Sequence, residues 1–139
     1  MSTLQVDQAL TQAFIEGDFK LSDGTSLPVA HENLPFEPAQ GTPYAELLVL
    51  QNDTTPYSLA HSNQTDGVFR VILRYPVESG AIEIKKMGDA IFAVFGVGVR
   101  LVYQGTTVTM MGNQREPGLA EDGWYKIVLT MPYRAFLKR

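Results

Sequence analysis

The residues best suited to chemistry in this chain are few, and their spacing restricts what they can do. His31 and His61 are the only histidines, and neither stands in a His-x-x-x-His pattern beside acidic partners of the kind that holds a metal. They are expected to be ordinary surface or loop histidines. There is no cysteine, which removes disulfides, thiolate metal sites and cysteine nucleophiles. Serine nucleophiles are poorly supported as well, because no Gly-x-Ser-x-Gly elbow occurs in the chain. Gly96-Val97-Gly98 follows a helical pattern rather than opening one, so it presents no helix N-terminus to a phosphate and is expected to be a helix end and bend. Five carboxylates, Asp53, Asp66, Glu116, Glu121 and Asp122, fall in two polar stretches, without the regular alternation of oxygen ligands that a calcium loop requires. Tyr57, His61 and Asp66 would be the residues of a ligand-binding or enzymatic site, and such a site needs a pocket to gather them.

The elements that would position these residues follow from periodicity. Ser2 and Gln5 have capping-box spacing ahead of Val6, Ala9, Leu10 and Ala13, which predicts a first amphipathic helix closed by Gly17. Pro28, Pro35, Pro38, Gly41 and Pro43 then interrupt the pattern, so extended chain and turns are expected, with an edge strand over Pro28 to Glu32. A strand is predicted over Tyr44 to Leu50, then a polar excursion from Gln51 to Gly67. From Val68 to Tyr75 the apolar set Phe69, Val71, Leu73 and Tyr75 alternates with Val68, Arg70, Ile72 and Arg74, giving a strand with a core face and a partly basic one.

Ile84, Met87, Gly88, Ile91, Phe92 and Phe95 recur at helical spacing, which places a second helix at about Glu78 to Phe95. Val97 to Tyr103 and Thr107 to Met111 flank a tight turn at Gln104-Gly105 and predict a hairpin. Gly112 to Gly123 is expected to be a second polar loop, and Trp124 to Tyr133 a last strand with Tyr125, Ile127, Leu129, Met131 and Tyr133 on one side. The basic end at Arg134, Lys138 and Arg139 is expected to be a solvated tail. Helix, strands, helix, strands describes a single α+β domain over residues 1–139, with a mainly antiparallel sheet packed with two helices.

For a chain of 139 residues and 15.4 kDa, folded-monomer scaling gives about 7,200 Å² of surface. That suffices for a real core without staples. Eleven basic against fifteen acidic residues give a formal charge of −4, which argues against a strongly basic nucleic-acid binder. No apolar run approaches membrane-spanning length and the first residues lack a signal-peptide pattern, so a soluble protein kept in the cytoplasm of its producing cell is expected. The second face of the strands carries Leu48 and Leu50 with Glu46, Ile72 with Arg70 and Arg74, and Val128 with Lys126 and Thr130. It is too apolar for a face kept in water and too charged for a core, so either helices or another subunit must cover part of it.

Several spaced segments resemble the tail terminator proteins of long-tailed bacteriophages. Pro28 to Pro38 followed by Gly41-Thr42-Pro43-Tyr44 is similar to that family's strand, Asn-x-x-Phe-x-Pro turn and return into a sheet. Asp66-Gly67-Val68-Phe69 leading to Tyr75-Pro76 and Gly80, then Ala90-Ile91 and Phe95, resembles its central strand and second helix. Trp124-Tyr125 with Pro132-Tyr133-Arg134 is similar to its closing strand. The resemblance spans Pro28 to Arg134 and extends to the first helix only in type.

It implies a structural virion protein and no enzyme, with no cofactor, metal or membrane partner. Its members form a ring, usually of six copies, that caps the tail tube at the head-proximal end of the virion tail. The ring stops tube polymerisation and offers a surface to head-completion or neck proteins. Tube protein and tape-measure protein are the other implied partners, and DNA passes through without specific binding. On that basis Leu48, Arg70, Ile72, Arg74, Tyr57 and Leu59 are expected at subunit contacts, and Asp53, Asp66, Glu116, Glu121 and Asp122 along the channel wall. A related head–tail joining protein or minor tail protein is the nearest alternative, and a small-ligand binder or enzyme built on Tyr57, His61 and Asp66 the more distant one.

Overall fold

The computed structural model describes residues 4–21, 23–31, 36–37, 41–51, 55–56, 62–77 and 81–138. Two antiparallel strands form its spine. β4 (Ser62–Pro76) and β9 (Trp124–Lys138) pair along their whole length, from Ser62 opposite Lys138 to Pro76 opposite Trp124. On one side of this ribbon lies β2 (Tyr44–Gln51), antiparallel to β4, and beyond it β1 (Val29–Ala30), parallel to β2. On the other side β6 (Thr106–Met110) pairs with β9 and β5 (Arg100–Tyr103) pairs with β6. Three short strands complete the sheet: β3 (Thr55–Pro56) against β4, and β7 (Gln114–Arg115) and β8 (Leu119–Glu121) against β9. The fold is α+β with a mostly antiparallel sheet, as expected from the sequence.

Alternation decides which face is the core. Phe69, Val71, Leu73 and Tyr75 of β4 are buried on one face, together with Ile127, Leu129, Met131, Tyr133 and Ala135 of β9. α1 (Leu4–Glu16) and α2 (Ile82–Val94) pack on this inner face through Val6, Ala9, Leu10 and Phe14, and through Ile84, Met87, Gly88 and Ile91. Phe14 meets the rings of Phe19, Phe69 and Phe95 at centroid distances of 4.8, 6.5 and 6.4 Å, an aromatic cluster that locks α1 onto the spine. The buried Thr106 hydroxyl donates to Gln5 Oε1 at 2.8 Å and ties the start of α1 to β6.

Several boundaries differ from the sequence reading. The excursion after β2 is shorter than Gln51 to Gly67, because β4 begins at Ser62 and β3 pairs with it. α2 begins at Ile82 rather than Glu78 and ends before Phe95. Gly112 to Gly123 is not a plain loop, since it contains β7 and β8. The basic tail is not frayed up to Lys138: β9 runs through it, and Ala135 is fully buried between Thr65 and Val108. Except at α2, the difference in each case is a polar segment held by ladder hydrogen bonds to a neighbouring strand, which side-chain polarity does not report. The Ser2 cap lies outside the described residues. So does most of the turn Asn33 to Pro38, of which Phe36 is half-buried against Tyr44, at 5.1 Å between centroids.

Candidate functional site

The face opposite the helices is the surface left for function, and its side chains fall into cross-strand rows. Residues directly opposite in an antiparallel pair share a face. One row is apolar: Leu50, Val68 and Pro132, with Met111 donating its amide to the Pro132 carbonyl at 2.8 Å. The next is Leu48, Arg70, Thr130 and Gln114. Below it stand Glu46, Ile72 and Val128, then Tyr44, Arg74, Lys126 and Leu119. Leu50, Met111 and Leu119 are exposed at 44%, 48% and 55%, and Val102 of β5, on the same face, at 71%. No described helix lies over these rows.

Charges on this face are mostly paired within the chain. Arg74 forms a salt bridge with Glu46, donates from Nη1 to the Tyr44 hydroxyl at 3.3 Å and lies 5.9 Å from the centre of the Tyr44 ring. Tyr44 is in turn buried edge-on against Trp124, at 5.2 Å. Lys126 pairs with Glu121 at 3.3 Å and Arg134 with Asp66 at 3.3 Å. Arg70 is different. Its Nε and the hydroxyl of Thr130, opposite it, are both shielded from solvent and lack a hydrogen-bond partner.

The residues singled out from the sequence divide as follows. Leu48, Arg70, Ile72 and Arg74 come together on the outer face of β2 and β4, and the cation of Arg74 is already engaged by Glu46 and Tyr44. Tyr57, Leu59, Asp53 and His61 lie outside the described residues. Asp66 and Glu121 are on the same outer face but at opposite ends of the ribbon: the rows of Asp66 and Pro76 are ten residues apart, about 33 Å at strand rise, and Glu121 faces Trp124 in the row of Pro76. Glu116 is exposed beside β7, and Asp122 occupies the β8–β9 turn with a φ of 53°. The acidic residues therefore flank the apolar centre rather than forming one cluster, and no group of three His, Asp or Glu able to hold a metal exists among the described residues. Thr130 was legible only as an alternating polar residue, since its value as Arg70's neighbour depends on register. Asp122-Gly123 is a hairpin signal that would have located β8, with positive φ at both positions as a type I′ turn requires.

No described helix is long and apolar enough to cross a membrane. Comparison with known proteins gives three results. A family model described as phage tail terminator protein matches residues 5–133. A solved chain superposes with a TM-score of 0.78 at 21% sequence identity, covering 97% of this chain and 96% of that one, a likeness of fold. No curated protein sequence matches.

Proposed function

The chain belongs to the phage tail terminator family, and from that membership we propose that it assembles into a ring, of six copies as the resemblance implies, that caps the tail tube. Family membership makes it a structural component of the phage tail. The proposal adds the head-proximal position, assembly in the host cytoplasm, the arrest of tube polymerisation and the surface for a head-completion or neck protein. It also assigns the chain no reaction.

The observation that carries the ring is the outer face, over which no described helix lies. A sheet covered by helices on one side presents Leu48, Leu50, Ile72 and Val128 on the other, and a neighbouring copy is the natural cover for such a surface. Leu48, Arg70 and Ile72 then sit at a subunit contact, with Arg74 as a structural member held by Glu46. Tyr57 and Leu59 are proposed at the same boundary. The carboxylates Asp66, Glu116, Glu121 and Asp122 border that contact, and with Asp53 they are proposed as the negative wall of the channel. Six copies at −4 each carry 6 × (−4) = −24, so the ring repels a passing phosphate backbone and leaves duplex DNA free to slide.

Polymerisation of the cognate tube protein, followed by electron microscopy, tests termination. Added chain is expected to shorten the tubes and to mark their ends. Unchanged tube lengths, with no protein at the ends, would contradict the proposal.

A further inference from the structure

The row Leu48, Arg70, Thr130 and Gln114 crosses the middle of the outer face and contains a polar pair with nothing to bind. Arg70 Nε and Thr130 Oγ1 are closed off from water and lack any hydrogen-bond partner. Val68 and Pro132 stand above them, Ile72 and Val128 below, and Leu48 beside Arg70. The other cations among the described side chains of β4 and β9 are matched: Arg74 by Glu46, Lys126 by Glu121 and Arg134 by Asp66. Arg70 alone in this set has no carboxylate. Arg70 is only partly exposed, and apart from Glu46, which Arg74 engages, the side chains in the adjoining rows are apolar; such a surround concentrates binding energy at the centre of a protein interface, because it excludes water from the charged contact.

We propose that Arg70 and Thr130 form a seat for a carboxylate supplied by a second copy of this chain. The seat rests on the ring reading and deepens it by naming what the neighbour inserts. Charge complementarity points to a second copy: the chain has fifteen carboxylates against eleven basic groups, and, away from the channel wall, Glu16 and Glu37 are exposed with no basic partner among the described residues. Side-by-side subunits in a ring meet through two different surfaces, so one copy can carry the seat while its neighbour carries the acid. A planar guanidinium takes a carboxylate through two parallel N–H donors, and docking turns the shielded Arg70 Nε and Thr130 hydroxyl toward it, so that the hydroxyl adds a third donor. The apolar surround favours a desolvated protein carboxylate over the hydrated phosphate of a DNA backbone.

Native mass spectrometry of the full chain, alone and with tail tubes, across 0.05 to 0.5 M salt tests the seat with R70Q, R70K, T130V and L48D, each checked for a native melt. The expected result for R70Q is at least a tenfold weaker association whose remaining strength no longer depends on salt, with R70K and T130V intermediate. Association of R70Q equal to wild type, while L48D falls apart, overturns the seat and leaves the ring reading standing. Wild-type chain that never associates, alone or on tubes, overturns both. R70Q rings that form normally but fail to join tubes, or that lose binding of a short DNA duplex, overturn the second copy as the occupant.

Discussion

Gly67 shows how one residue decides local structure against its own propensity. Asp66-Gly67 is a turn signal in sequence, yet Gly67 lies inside β4 opposite Tyr133. A Cβ there would collide with the Leu50 carbonyl and the Tyr133 hydroxyl, so the ring of Tyr133 occupies the space a side chain would need. Gly67→Ala is expected to cost roughly 1 to 3 kcal/mol by overpacking, read from urea melts. The Tyr133 hydroxyl itself is buried without a partner, so removing it removes an unmet hydrogen-bonding group. Tyr133→Phe should leave stability unchanged or raise it, and a loss above about 1 kcal/mol would mean the hydroxyl has a partner. Burial pushes the Tyr75 phenol up to about 12, with the charge of Glu83 adding to it. The unfolded chain ionises this group near 10 and the folded chain does not, so the unfolded state binds fewer protons and stability falls as pH rises between 10 and 12. The fall is at most about 1.4 kcal/mol per pH unit from this group. Burial, followed by the charges of Asp7 and Asp66, raises Tyr133 in the same direction. Tyr75→Phe should flatten the slope measured between pH 10 and 12, and an unaltered slope would contradict the assignment.

At the scale of elements, what the sequence discloses is what hydrophobic alternation can encode. The inward set Phe69, Val71, Leu73 and Tyr75, the set Ile127, Leu129, Met131 and Tyr133, and the helical repeat Ile84, Met87, Gly88 and Ile91 are all buried as their periods require. Element ends are less legible, because they depend on partners distant in the chain. Ser62 to Asp66 looks like loop but pairs with β9 on one side, and Ser62 to Lys138 through Pro76 to Trp124 form one uninterrupted ladder. The pairing of Arg74 with Glu46 and of Arg134 with Asp66 depends on that register too, so the division of the outer face into engaged and unengaged cations could not be read from spacing. In the isolated chain, amides over residues 65–67 should exchange slowly, Thr65 being 1% exposed. Rapid exchange there would mean that this end of the ribbon opens. Phe14→Ala should cost about 3 to 5 kcal/mol in denaturant melts, since its ring joins α1 to Phe19, Phe69 and Phe95.

At the scale of the molecule, the two faces of one sheet have different roles. The inner face, with α1 and α2 on it, accounts for folding, while the outer face has apolar rows, one unmatched guanidinium and acidic residues at its margins. Heterologous contact through such a face closes into a ring when the rotation between neighbours divides a full turn, which is the geometry a tube cap needs. The central claim is that this outer face joins copies of the chain. Native mass spectrometry of the wild type and of Leu48→Asp, each alone and on tail tubes, tests it most directly, because a carboxylate at Leu48, partly exposed and opposite Arg70 in the monomer, would lose its remaining access to water against a neighbour. The account predicts a discrete closed assembly for the wild type, centred on six copies, and folded monomer for Leu48→Asp under the same conditions. A Leu48→Asp chain that assembles as readily as the wild type would contradict it.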